Sequence, residues 1–404
     1  MTRPIAPLPL TGALFGLHAT DQLALAALPL IATLAFGAGP GAVGALVAAH
    51  GGAWLFVALP AGVLVDRAPR AMPLRWAAGA AALLCLVAMA APGAGWLALA
   101  AFLAASAVVP GVLAAFSIVP QLVPREGLAR ANATLELARA AATLAAPPLA
   151  GFCAALGLPE AALALAAGAG LLAFVAARQL PMVPAAPAAS RPGVVAAILE
   201  GARFVRGEPH LAAVALVAIA WNSAFFALQA VLVPLALGPL ALSPAATGLA
   251  LGAYGAGLVL AALVAPWIGA RTSPGFSLLA GPLLSVGAII AILVAPWGAA
   301  VLCLAFGQFL LGFGPMLWQI AQTSLRQSVT PPGLLGRVGA TMQVAVFGVR
   351  PLGALAGGTL AAWQGLEAAV WLAAVGFVAS LLALMGSVLP RLRVMPGVAA
   401  QYSR

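Results

Sequence analysis

The few residues able to carry a charge inside otherwise apolar stretches are the natural place to look for chemistry. Asp21 follows His18 by three residues in an apolar run starting near Thr11, so a helix brings both side chains onto one face. At about 1.5 Å per residue, Asp21 lies roughly 15 Å from the end of such a helix, near the middle of a bilayer. A carboxyl group there, reached by water from alternating sides, would load and unload a proton, with His18 beside it; the alternative is a structural polar contact. Glu136 and Arg139 stand at i,i+3 spacing, and Gln343 and Arg350 seven residues apart, each pair on one helical face. Glu136 either neutralises Arg139 locally or shares a substrate role with it, whereas Arg350 has no acid near it in sequence. Trp221, Asn222 and Gln229 in one apolar run, and Gln308, Trp318, Gln319 and Gln322 in another, add amides and indoles. His50 and Tyr254 are weaker candidates of the same kind. Aromatics and amides in an apolar cavity suit an amphipathic solute better than a sugar, although tryptophans also anchor helices at membrane surfaces.

The elements that position these residues follow from composition. Of 404 residues, 64% are hydrophobic and 6% charged, against about 25% charged in ordinary soluble domains. Lipid must therefore solvate the chain. Crossing the hydrocarbon core takes about 20 apolar residues as a helix. Twelve runs of that kind are predicted, at 11–36, 41–65, 74–92, 95–119, 132–157, 160–180, 211–237, 244–269, 275–295, 298–322, 338–362 and 367–388. Sixteen of the 18 basic residues, all arginine, fall at the termini, in even-numbered loops or at the span ends beside them. Because cytoplasmic loops accumulate positive charge, this partition places both termini in the cytoplasm. The net charge of +10 is thus a topology signal and not a nucleic-acid surface. Cys85, Cys153 and Cys303 lie singly in apolar runs, which suits packing rather than disulfides.

The long connection between the sixth and seventh spans opens with the Pro-rich PMVPAAPAASRPG (Pro181–Gly193). A short amphipathic helix follows, with Val195, Ile198, Ala202 and Val205 on one face and Glu200 and Arg203 on another, expected to lie on the membrane surface. The organisation is therefore a six-helix bundle over 1–180, a cytoplasmic linker over 181–210, a second bundle over 211–388 and a tail over 389–404. Weak internal symmetry supports two related halves. At an offset of 204, Gly44, Gly51 and Arg67 fall on Gly248, Gly255 and Arg271; at 207, Arg130 falls on Arg337 and Glu136 on Gln343. The fold class is all-α integral membrane, with twelve transmembrane helices in two pseudo-symmetric six-helix bundles.

Between the second and third spans, PAGVLVDRAPR (Pro60–Arg70) places Gly62, Asp66, Arg67 and Arg70 in the order GxxxDRxxR. This turn resembles the loop signature of the major facilitator superfamily of secondary transporters, with Pro69 in place of the usual second glycine and Ala71 in place of a further basic residue. The resemblance implies a cytoplasmic gate in which Gly62 permits close helix approach, Asp66 accepts from the start of the eleventh span and Arg70 pairs with an acid; Glu126 is the candidate. Four further segments, GLHATDQLALAALPL (Gly16–Leu30), QLVPREGLARANATLE (Gln121–Glu136), ILEGARFVRGEPHL (Ile198–Leu211) and TPPGLLGRVGATMQ (Thr330–Gln343), look like the branch containing enterobactin and macrolide exporters. That resemblance implies proton-coupled export of a small amphipathic molecule, such as a drug, siderophore or secondary metabolite. Of the antiporter motif GPxxGG only PPLAGF (Pro147–Phe152) is present, and the fourth span carries no arginine.

Enzyme chemistry has no support in the sequence. Lysine is absent, so there is no GxxxxGK[ST] phosphate loop, and no His/Glu metal constellation or nucleophile elbow occurs. No cofactor or metal is expected. Protons, a small-molecule substrate and the lipid bilayer are the expected partners of a monomer without nucleic acid. Abundant Ala, Gly, Pro and Arg fit a GC-rich bacterial genome, hence the bacterial inner membrane as the expected location. Two alternatives are a lipid or lysolipid translocator of the same fold and a transport-inactive membrane sensor or assembly partner.

Overall fold

Proline at the first turn, where its missing N–H costs nothing, starts the helices at Pro40, Pro209, Pro244 and Pro274. Glu208, Ser243 and Ser273 cap three of them by accepting from His210 N, Ala246 N and Phe276 N. The computed structural model describes residues 8–69, 71–124, 128–182, 194–331 and 334–396. Its helices are α1 (Leu8–Leu34), α2 (Pro40–Arg67), α3 (Ala71–Met89), α4 (Ala94–Leu122), α5 (Leu128–Ala155), α6 (Ala161–Arg178), α7 (Val194–Gly207), α8 (Pro209–Leu237), α9 (Pro244–Gly269), α10 (Pro274–Leu293), α11 (Ala300–Val329), α12 (Leu335–Gln364) and α13 (Leu366–Met385).

All except α7 contain an apolar segment long enough to cross a membrane, twelve in all. The expected spans and the helices coincide in number and order. The largest difference is at α11, which runs to Val329 on the arginine-bearing side instead of ending near Gln322, whereas α6 and α13 stop two and three residues short there. Polar residues there are solvated by water, so polarity does not end the helix.

Helices α1–α6 pack mainly on one another, as do α8–α13. Small residues let the backbones approach closely, which is how helices associate where lipid removes the hydrophobic driving force. Each half also carries one hydroxyl cross-link between equivalent helices. Thr20 Oγ1 in α1 donates to Ala166 O of α6 at 2.9 Å, and Ser380 Oγ in α13 donates to Val217 O of α8 at 3.1 Å. Arg75 of α3 clamps the end of α6 and the residues just past it by donating to Ala177 O, Arg178 O and Leu180 O at 3.0, 3.1 and 2.8 Å, adding donors where helix-end carbonyls lack a full set.

The halves meet chiefly through α2 against α12 and α5 against α9. Gly44 packs on Gly358, and Gly151 on Gly248, so closely that an added Cβ would lie 2.6 Å and 2.8 Å from the opposing Cα. The two crossings obey the repeat: Gly44 matches Gly248 at the offset of 204, and Gly151 matches Gly358 at 207. Both lie towards the arginine-free ends of their helices. At the other end, no described heavy atom lies within 4 Å of a Cβ built on Gly62. The halves are thus joined at the arginine-free face, and no close approach by Gly62 is seen among the described residues.

Helix α7 docks on the protein, against α12 and the start of α8. Thr341 Oγ1 of α12 donates to Ile198 O at 3.0 Å, Glu200 pairs with Arg337, and Val205 joins an apolar cluster with Leu211, Val214 and Val338. Val205 is buried and Ile198 and Ala202 are partly buried on this dock, where the start of α12 supplies both a complementary charge and a hydroxyl.

Candidate functional site

Asp21 does not meet lipid, because α1 is the most enclosed span. Of its apolar window, 78% is buried, against 28 to 56% for the others. This satisfies the requirement that an intramembrane carboxyl, costing about 2.5–3.5 kcal/mol at a helix centre, face protein or water. The ion-pair partner of Asp21 is His50 of α2, with Nε2 3.2 Å from Oδ1, while Gln22 Nε2 donates to Oδ2 at 3.0 Å. His18 lies on the same chamber wall, and its Nε2 has no hydrogen-bond partner among the described residues. The i,i+3 neighbour is therefore not the group that touches the acid. A histidine on the adjacent helix does, and its only sequence signal is a titratable residue inside an apolar run.

Two cavities lie at the interface of the halves. The inner one, about 410 Å³, is lined by His18, Asp21 and His50 together with apolar residues such as Leu25, Phe116 and Leu232. The larger, about 870 Å³, extends towards the arginine-bearing face, where Asn132 of α5, Arg326 of α11 and Gln343 of α12 line it. Six residues belong to both walls: Arg139, Trp221, Asn222, Tyr254, Phe347 and Arg350. They form a neck between the chambers.

At the neck, each arginine is held differently. Arg139 Nε donates to Glu136 Oε2 at 2.8 Å, a half-exposed i,i+3 pair. Arg350 Nε donates to Asn222 Oδ1 of α8 at 3.1 Å, and its guanidinium lies 4.4 Å from the ring centre of Phe347 and 5.2 Å from that of Phe226. Stacking on aromatic faces suits a planar, weakly hydrated cation. Asn222 is itself fixed, its Nδ2 donating to Ala218 O at 2.9 Å. Trp221 stacks on Phe225 with ring centres 4.8 Å apart and donates from Nε1 to Ser285 Oγ at 2.8 Å. Phe225 in turn contacts Tyr254 at 5.5 Å, and Trp54 of α2 reaches Phe347 at 5.4 Å.

The other candidates divide between the chambers. Gln229 and Gln308 line the inner one, whereas Glu136, Trp318, Gln319, Gln322 and Gln343 line the larger one. Gln308 is 1% exposed, and its Nε2 has no partner among the described residues; the same holds for Trp318 Nε1. Phe226, Phe347 and Trp54 escape sequence reasoning because aromatic residues in apolar runs look like ordinary packing. Six of the nine tryptophans (Trp76, Trp96, Trp267, Trp297, Trp363 and Trp371) lie on the outer surface, 54 to 84% exposed. Of the expected gate, Arg70 and Glu126 fall outside the described residues, as does the side chain of Asp66; Arg67 ends α2 and is exposed. Among the described residues, no group of three or more His, Cys, Asp or Glu is arranged to hold a metal ion.

Comparison with known proteins places this architecture. The family model described as "Major Facilitator Superfamily" matches residues 10–349. No curated protein matches the chain by sequence. Among solved structures, a mutant form of the nucleoside transporter NupG is similar with a TM-score of 0.76 at 13% identity, covering 94% of this chain and 98% of that one. A POT family transporter in complex with a thioalcohol-conjugated peptide gives 0.70 at 12% identity, over 93% and 95% of the two chains. A bacterial homologue of the human lysosomal transporter Spinster, inward-facing and unoccupied, gives 0.65 at 13%, over 93% of each. At these identities the likeness is one of fold.

Proposed function

Because the chain belongs to the major facilitator superfamily, we propose that it is a proton-coupled exporter that moves a small amphipathic molecule out of a bacterial cell by alternating access. It is a multi-pass membrane transporter by fold and not an enzyme. The observation that carries the coupled reading is the Asp21–His50 pair, buried at 7% and 5% exposure and opening on a chamber that joins the larger one at the neck. A proton site and a solute space thus share one wall, so the occupancy of one bears on the other.

With the arginine-bearing face cytoplasmic, the arrangement is the inward-open member of a cycle in which the halves rock about the neck. In the outward-open member, water from outside reaches Asp21, which takes up a proton and loosens its hold on His50. Return to the inward-open form releases that proton and admits cargo from the larger chamber. The outward direction, and drugs, siderophores or secondary metabolites as cargo, rest on the likeness to the enterobactin and macrolide exporter branch. The protein works in this reading as a monomer in the inner membrane, with both termini cytoplasmic.

Transport into inverted vesicles under an imposed pH gradient tests this. Asp21→Asn is expected to reduce gradient-driven uptake of an amphipathic solute at least tenfold. Intact gradient-driven uptake by that variant would remove the coupling claim, and no gradient-driven uptake by the wild type across a solute panel would remove the exporter reading.

A further inference from the structure

The charge inventory of the chamber walls is unequal. Both carboxylates on the walls are already matched: Asp21 by His50, and Glu136 by Arg139. Arg350 is not. Its hydrogen-bond partner is the neutral amide of Asn222, its flanks are the rings of Phe226 and Phe347, and no carboxylate pairs with it among the described residues. One Nε–H is used, so the two terminal amino groups of a planar fork remain for a ligand. Elsewhere on the walls, Gln308 Nε2 and Trp318 Nε1 are buried without an acceptor, and Gln322 Oε1 is buried without a donor. A cationic solute would meet two guanidinium groups at the neck and would have to displace a histidine or an arginine to reach a carboxylate.

We propose that the cargo is an amphipathic organic anion, its carboxylate, sulfonate or phosphate-type group held by Arg350 at the neck and its apolar body in the inner chamber. At about 410 Å³, that chamber has room for one or two rings, and Phe116, Leu232 and Val233 offer them an apolar wall. The anion completes the charge balance that Asn222 leaves open, while the two phenylalanines keep the guanidinium plane aimed at it. This inference rests on the chambers being the cargo path.

A matched pair of probes tests it: naphthalene-2-sulfonate and 2-naphthyltrimethylammonium share a ring system and differ in charge. Equilibrium dialysis against the full chain in nanodiscs, with empty nanodiscs subtracted, is expected to show the sulfonate held at least tenfold more tightly. Arg350→Gln should abolish that preference, and Arg350→Lys should retain part of it. Asn222→Asp provides a near-isosteric second variant, because it supplies Arg350 with its own counter-ion; it should weaken sulfonate binding at least tenfold while the chain still elutes as a monodisperse species. Equal binding of the two probes, a preference for the cation, no saturable binding of either, or a preference that survives both Arg350→Gln and Asn222→Asp would overturn the inference. Flux of the same probes in proteoliposomes separates it from the transport reading. Saturable sulfonate binding without flux leaves the anion site standing and removes transport, whereas flux of the cation in place of the sulfonate does the reverse.

Discussion

At the scale of single residues, the decisive fact is which side chain answers Asp21. His50, from a neighbouring helix, lies within 3.2 Å, whereas His18, one turn away on the same helix, points its Nε2 at no acceptor among the described residues. Removing one partner from a buried ion pair costs about 3–5 kcal/mol if the remaining charge stays ionised. With His50 gone, Asp21 keeps Gln22 but loses the imidazole 3.2 Å from its Oδ1. His50→Gln should therefore lower gradient-driven transport at least tenfold, while His18→Gln should stay within about threefold of wild type. Measuring both in the same vesicle preparation separates the roles, and equal losses would show that the two histidines act together.

At the scale of elements, α7 ties the connection between the halves to the start of the helix that carries Arg350. The dock is narrow: a Cβ on Gly201 would lie 2.5 Å from Arg337 O and from Thr341 Oγ1, so only glycine fits there. Gly201→Leu is expected to lift α7 off α12 and break the Glu200–Arg337 pair and the Thr341 hydrogen bond. Limited trypsin digestion reads this directly, because Arg203 and Arg206 are exposed on α7. Cleavage there should become several-fold faster in the variant, and an unchanged rate would show that the dock tolerates a side chain. Arg75 is the comparable device in the first half, holding the last turn of α6 by three carbonyls.

For the molecule as a whole, the two glycine crossings close the arginine-free face, which the proposed rocking about the neck would have to open. Backbone-to-backbone contact at Gly44–Gly358 and Gly151–Gly248 closes the arginine-free face without any large side chain having to move. A leucine at position 358 is expected to wedge the halves apart there. With Cys85, Cys153 and Cys303 replaced and Gln229→Cys placed on the inner chamber wall, a membrane-impermeant thiol reagent applied to the arginine-free face should label the Gly358→Leu variant several-fold faster. The same labelling rate in both backgrounds would mean that some other contact closes that face.

Several features follow from the sequence alone. The twelve spans, the confinement of arginine to alternate loops and the faint repeat are legible because moving apolar surface out of water and keeping charge in it are local effects, set by composition along each stretch. The Glu136–Arg139 pair is legible for a similar reason, since both residues sit on one turn of one helix. Tertiary structure alone decided that His50 meets Asp21, that Asn222 meets Arg350 across 128 positions of sequence, and that Phe226 and Phe347 flank the guanidinium. Those contacts depend on how each helix is rotated and how closely it crosses its neighbours. Interlocking small residues set that geometry, and no single helix carries it in its own pattern.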